Sequence, residues 1–340
     1  MALMMSTDCS SLMTSRLIHV NSRKGAFSPS TVYRPNSASD RRGCTLSIRS
    51  SSSPSAIVID GKAVAAKIRE EITVEVSRMK ESIGVVPGLA IIRVGDREES
   101  VTDVRDKKEA CESVGMTSFE VGLAEDSSEE EVLKYVLGFN DDPRVHGVLV
   151  QLPRPSHMDE VKIRNAVSKE KLVEGRYCFG TLDFYVPCIP KACIELLHRY
   201  NIEIKGKIVV VLERWSSLDG LAITQLLERE DATTLSMFPP EMAEKFTREA
   251  DIIISALGQP NMVRGSWIKP GAVIIDAGTT PVEDPSAPRG YRLVGDVCYE
   301  EACKVASAIT PVPGGVGGPM AIAMLLSNTL TSAKRIHNFQ

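Results

Sequence analysis

The sequence predicts an α/β fold made of two lobes with a cleft between them, and three observations lead there. Short branched apolar runs alternate with apolar stripes at helical spacing, the pattern of parallel strands joined by crossover helices. The alternation stops once, over Lys169 to Val186, and then resumes. The chain has 340 residues, enough for two modest domains.

From Ala56 the elements follow in order. "AIVID" is a short strand, and Val64, Ile68, Ile72, Val76 and Met79 then form one helical stripe. "GLAIIRVG" is a second strand, and Glu99 to Val114 a second helix. "TSFEVGL", a helix from Ser128, and "HGVLVQLP" continue the rhythm. The stretch from Lys169 to Val186 mixes charge, aromatics, Gly175 and Gly180, and is expected to be a loop. "CIPKACIELLHRYN" is a helix with proline near its start. A second set of strands follows: "KIVVVL", "ATTLSM", "ADIIISAL" and "GAVIIDAG". The last helix, "PMAIAMLLSNTLTSAKRI", comes after the glycine-rich "PVPGGVGG".

Bulk properties narrow the function classes. Hydrophobic content is 43% and charged content 25%, ordinary for a soluble globular chain. A formal net charge of −4 argues against nucleic-acid binding, and no apolar run reaches the length of a membrane span. The eight cysteines include no C-x-x-C pair and the five histidines stand apart from them, so no metal site is expected. Free thiols in a reducing compartment are the simpler reading.

Residues 1–54 differ from the rest. They are rich in serine and arginine, carry only Asp8 and Asp40 as acids, and lack the apolar core of a secretory signal. This is the composition of an organelle transit peptide. The Met-Ala start and the serine content point to a plastid, with a mitochondrion as the alternative.

"KIVVVLERWSSLDGLAITQLL" reads like the start of a nucleotide-binding unit: a strand, a polar turn and a helix. Glycines in such turns let backbone N–H groups approach phosphate closely. Here the turn opens with Glu213 and Trp215, and its only glycine is Gly220. Ser217 or Asp219 could cap the helix instead, making this a structural turn rather than a phosphate cradle.

Five stretches together resemble one family: "GVLVQLPRPSHMDE", "VPCIPKACIELLHRYNIEIKGK", "ADIIISALGQPNMVRGSWIKPGAVIIDAG", "GYRLVGDVCYEEA" and "ITPVPGGVGGPMAIAMLLSNTL". It is the bifunctional methylenetetrahydrofolate dehydrogenase/methenyltetrahydrofolate cyclohydrolase, in its plant organellar form. The resemblance implies a folate-binding catalytic lobe over 55–187, joined by the C-terminal helix over 319–337. It implies a Rossmann-like NADP lobe over 188–318. It also implies tetrahydrofolate derivatives as substrates, NADP as cofactor and a homodimer formed through the cofactor lobe. Two reactions follow: oxidation of 5,10-methylenetetrahydrofolate, then hydrolysis of the methenyl product to 10-formyltetrahydrofolate.

The resemblance also assigns roles. Lys107 matches the family's general acid/base, a position where a lysine works only if burial or positive neighbours favour its neutral form. Asp103 stands where the family has a tyrosine at the folate. It shares a helix face with Lys107, so a direct ion pair opposing the base role is expected. The ordinary alternative is an exposed surface pair worth about 0.3–0.5 kcal/mol. Gln151 matches the glutamine that positions the lysine and substrate, and Glu174 the aspartate that grips the pterin edge. Ile189 replaces a threonine, and the loop over 176–186 is several residues short.

In the phosphate turn, Arg214 and Ser216 are the cofactor-binding candidates, while Glu213 and Asp219 bring negative charge. The strand end "SMFPP" offers neither a basic segment for a 2′-phosphate nor an acid for a ribose diol. Asp276, Gly278, Gly315 and Val316 match segments at the cofactor, and Pro313 and Gly314 segments at the folate. An extra glycine, Gly317 or Gly318, lengthens that turn. Three readings stay open: a full bifunctional enzyme, a cyclohydrolase alone, and a silent folate-binding homologue with an impaired cofactor loop.

Overall fold

The computed structural model describes residues 56–151, 155–178, 181–182, 184–214, 219–237, 242–287 and 290–340. Strand β1 (Ile57–Val58) leads into helix α1 (Gly61–Ile83). The Asp60 carboxylate caps α1 by accepting from the Ala63 amide, and Gly84, in the left-handed region at φ 70°, ends it. Then come β2 (Gly88–Val94), α2 (Glu98–Ser113), β3 (Thr117–Leu123), α3 (Glu129–Asp141), β4 (Gly147–Val150) and α4 (Glu160–Ala166). Strands β2, β3 and β4 form a parallel sheet in the order β3-β2-β4. Its central strand is apolar and buried from Gly88 to Ile92, with only Arg93 breaking the run before Val94, as suits a strand covered on both faces.

The expected loop holds a small hairpin, β5 (Tyr177–Cys178) with β6 (Thr181–Leu182), before α5 (Cys188–Arg199). The second set comprises β7 (Ile208–Glu213), α6 (Asp219–Glu228), β8 (Thr233–Met237), α7 (Ala243–Thr247), β9 (Ile252–Ala256) and β10 (Val273–Asp276). An antiparallel pair, β11 (Thr280–Glu283) and β12 (Tyr291–Val294), precedes α8 (Tyr299–Ala302), β13 (Ala308–Ile309) and α9 (Pro319–Ile336).

The larger sheet is parallel and runs β1-β13-β10-β9-β7-β8. From β7 the chain moves outward to β8, then returns to β9 on the other side. The order therefore reverses at β7, where open α/β sheets bind ligands beyond their strand ends.

One expectation is corrected here. "AIVID" was assigned to the first lobe, but Ile57 pairs with Ala308 and Val58 with Ile309 in the larger sheet. β13 is a two-residue strand whose outer edge would otherwise lie open, and β1 covers it. The chain then crosses on α1, against which α9 packs on its return. Ile68, Ile72, Met79, Met320, Met324 and Leu326 join the core between these helices.

Candidate active site

The first cluster lies where α2 faces the end of β4. Val104, Ala110 and Cys111 hold α2 against the core, which turns Asp103 and Lys107 towards the cleft side. Gln151 follows β4, its amide nitrogen continuing the ladder to the Ile92 carbonyl at 2.8 Å. Its side chain is 7% exposed. Gln151 Oε1 accepts from Lys107 Nζ at 3.1 Å, and Nε2 donates to Asp103 Oδ2 at 3.3 Å.

The carboxamide thus stands between the two charged groups. The expected direct pair is loose: Lys107 Nζ and Asp103 Oδ2 are 3.9 Å apart, and the ammonium donates to the Asp103 backbone carbonyl at 3.4 Å. The Lys107 side chain is 16% exposed and that of Asp103 60%, so the carboxylate is screened by solvent and the ammonium is largely withdrawn from it.

Glu174 is half-buried in the turn after Val173. The turn is held by Arg164 Nη2 on the Gly175 carbonyl at 2.7 Å, and by Gly175 at φ 79°, where an added Cβ would meet the Pro187 backbone. Beneath it the Cys188 thiol lies 3.7 Å from the Glu174 carbonyl. Burial pushes that thiol up to about 12, helped by the Glu174 carboxylate and opposed by the Lys191 and Lys107 ammoniums. Cys188 therefore packs beneath the Glu174 turn and is inert as a nucleophile.

The second cluster lies at the carboxyl ends of β10 and β13. A cavity of about 90 Å³ is lined by Lys62, Asp276, Gly278, Pro313, Gly314 and Gly315, among others. Val316, 1% exposed, anchors its wall in the main core. Gly314 needs its glycine, at φ 114°.

Asp276, matched to the cofactor, turns inward. Its Oδ1 accepts from the Gly278 and Asp296 amides at 2.9 and 3.1 Å, and Oδ2 from Val297 at 2.9 Å. Burial and the neighbouring Asp296 carboxylate push its carboxyl up to about 7. Its work is to hold the Gly278 turn rather than to present oxygens to a ligand. Asp296 was missed by sequence reasoning. It is fully buried, accepts from Ser255 Oγ and from the Leu257 and Gln259 amides, and fixes the loop after β9. The only local signal was the "VGDV" run. Lys62 was also missed, because nothing local marks α1 as crossing towards the glycine turn.

The third cluster is the turn between β7 and α6. Ser216 lies outside the described residues, as do Trp215, Ser217, the strand end over 238–240 and the leader over 1–54. Arg214 is exposed, its guanidinium over Gly258 in the loop after β9. An exposed guanidinium at the sheet's switch point suits a phosphate.

Glu213 does not suit one. It is 1% exposed, and Ser236 Oγ on β8 donates to its Oε1 at 2.6 Å. Its carboxyl faces the first amides of α6, at Gly220 and Leu221. Gly220 has no side chain to exclude it. Capping by Ser217 or Asp219 was expected; Ser217 lies outside the described residues, and the Glu213 carboxyl, from the preceding strand, also faces this helix start. At this end of the sheet the start of α6 therefore faces the chain's own Glu213 carboxyl.

The fold and these clusters define a two-lobed α/β enzyme with a lysine–glutamine pair in one lobe and a dinucleotide-type sheet in the other. Residues 59–174 match the tetrahydrofolate dehydrogenase/cyclohydrolase catalytic domain, and residues 187–337 the NAD(P)-binding domain of the same name. The chain belongs to the tetrahydrofolate dehydrogenase/cyclohydrolase family.

It is 66% identical to bifunctional protein FolD 4, chloroplastic, of Arabidopsis thaliana, with the whole of each chain covered. It is 60% identical to bifunctional protein FolD 3, chloroplastic, of the same plant, over 99% of this chain and 100% of that one. Among solved structures it resembles the Trypanosoma brucei N5,N10-methylenetetrahydrofolate dehydrogenase-cyclohydrolase complexed with NADP cofactor and inhibitor. The TM-score is 0.76 at 43% identity, covering 84% of this chain and 99% of that one.

Proposed function

We propose that this chain serves one-carbon folate metabolism, oxidising 5,10-methylenetetrahydrofolate with NADP as acceptor and hydrolysing the methenyl product to 10-formyltetrahydrofolate. The observation that carries the reading is the 3.1 Å bond from Lys107 Nζ to Gln151 Oε1. In hydrolysis, water adds to the methenyl carbon and loses a proton. The hydroxyl so formed then gives up its own proton and becomes the formyl carbonyl, as the bond from that carbon to N5 breaks and N5 takes a proton up. Lys107 is the group that moves the proton, Gln151 aims its ammonium, and Glu174 holds the amino edge of the pterin. NADP, when bound, supplies the hydride acceptor.

Asp103 lies beside the pterin. Pro313 and Gly314 flank the folate, Gly278, Gly315 and Val316 shape the nicotinamide end, and Arg214 and Ser216 are the candidates to bind the phosphates. The domain reading is a folate lobe over 55–187 completed by 319–337, and a cofactor lobe over 188–318, amended in that β1 joins the sheet of the cofactor lobe. The protein works in the plastid stroma, supported by the serine- and arginine-rich leader and the chloroplastic relatives. It acts as a homodimer through the cofactor lobe, a reading supported by the exposed edge strand β8.

The test follows methenyltetrahydrofolate hydrolysis and the NADP-dependent absorbance change separately in the purified full chain. Both activities are expected. Absence of both sinks the proposal.

A further inference from the structure

The end of β7 and the start of α6 sit at the reversal point of the larger sheet, where a dinucleotide's phosphates meet a helix N-terminus. Glu213 ends β7, and its carboxyl fills the space against the start of α6. Oε1 is held by Ser236, while Oε2 is fully buried and makes no hydrogen bond of good geometry. An unsatisfied buried carboxylate oxygen at a helix N-terminus is the electrostatic equivalent of a phosphate oxygen with its donors incompletely engaged.

We propose that Glu213 is an internal rival of the cofactor's phosphate, so that NADP binds this chain only by displacing that carboxyl from the start of α6. The inference rests on the NADP-dependent reading above and adds how its affinity is set. The charged and polar groups facing Glu213 are few. From α6 come the Gly220 and Leu221 amides and Asp219, whose negative charge opposes ionisation. From β8 comes the Ser236 hydroxyl. Burial, the largest influence, pushes the Glu213 carboxyl up. Burial disfavours its charged form there and only Oε1 is held by a side chain, so the rival can be displaced. Arg214, the next residue, is already exposed and free to follow an incoming phosphate.

The chemistry also separates the two activities. Hydrolysis of the methenyl substrate uses no dinucleotide, so Glu213 governs oxidation alone.

The test is calorimetric titration of NADP into the full chain and into its Glu213→Gly and Glu213→Gln variants. Gln keeps the bulk and the Ser236 partner but removes the charge, and it relieves a buried acid, so folding is preserved. The expected result is about tenfold tighter NADP binding by Glu213→Gly and a smaller gain, about threefold, by Glu213→Gln. Equal affinities in all three proteins, or no NADP binding by any of them, overturn the proposal. Hydrolysis by the parent chain is read in parallel. Its loss would strike the proposed function, whereas unchanged NADP affinity beside intact hydrolysis strikes only the role of Glu213.

Discussion

Gly61→Ala exposes how closely the glycine turn depends on the first helix. Gly61 opens α1 and has no left-handed φ, so alanine is conformationally acceptable there. Helix propensity alone favours the change, by up to about 1 kcal/mol. Packing forbids it. An added Cβ would lie 2.9 Å from the Gly314 carbonyl oxygen, 2.7 Å from the Gly315 carbonyl carbon and nearer still to the Gly315 oxygen. These are backbone atoms of the cavity wall, so no side-chain rotation relieves the overlap.

The turn must retreat by about 1 Å, and misplacement on that scale costs roughly a hundredfold in rate. Overpacking adds about 1–3 kcal/mol of destabilisation. Far-UV circular dichroism should match the parent, while NADP-linked oxidation of methylenetetrahydrofolate falls on the order of a hundredfold. A folded variant that keeps its rate within about threefold would refute the placement of this turn beside the reacting groups.

The remaining predictions concern stability and pH. Asn328, 3% exposed on α9, donates to the Val173 and Val186 carbonyls at 2.8 and 3.1 Å and accepts from Lys191 at 2.8 Å. Asn328→Leu strands these buried partners and should lower unfolding stability by about 2–4 kcal/mol in urea titrations. It should also raise the folate KM, because Val173 and Val186 bracket the Glu174 turn. Asp276, pushed up to about 7 from 3.8, holds its proton longer in the folded chain than in the unfolded one. Its contribution is therefore fully present below about pH 4 and is lost as pH rises through about 7. Thermal midpoints from pH 5 to 8 should fall, and Asp276→Asn should flatten that fall; an unchanged slope would contradict it.

Much of the architecture was legible locally, because strand and helix periods are written within a few residues. The meeting of α2 with the end of β4 was legible through the family resemblance, which matched Lys107 and Gln151 to residues that act together. What spacing does not encode is the long-range partner. Nothing in "AIVID" reveals that Ile57 will pair with Ala308, 251 positions along the chain. Charge at residue 213 was read as opposing a phosphate in the turn, yet the carboxyl is buried because Gly220 leaves room and Ser236 offers a hydroxyl. Asp276 and Asp296 likewise turn to backbone amides that only the folded chain brings near.

The proposed catalysis rests on one contact, the Lys107 ammonium against the Gln151 carboxamide. Lys107→Met keeps the length of the stem and removes the proton carrier. In a methenyltetrahydrofolate hydrolysis assay on the full chain, kcat should fall by about 10²–10⁴-fold with folate affinity little changed. Hydrolysis at the parental rate would place the chemistry elsewhere in the molecule.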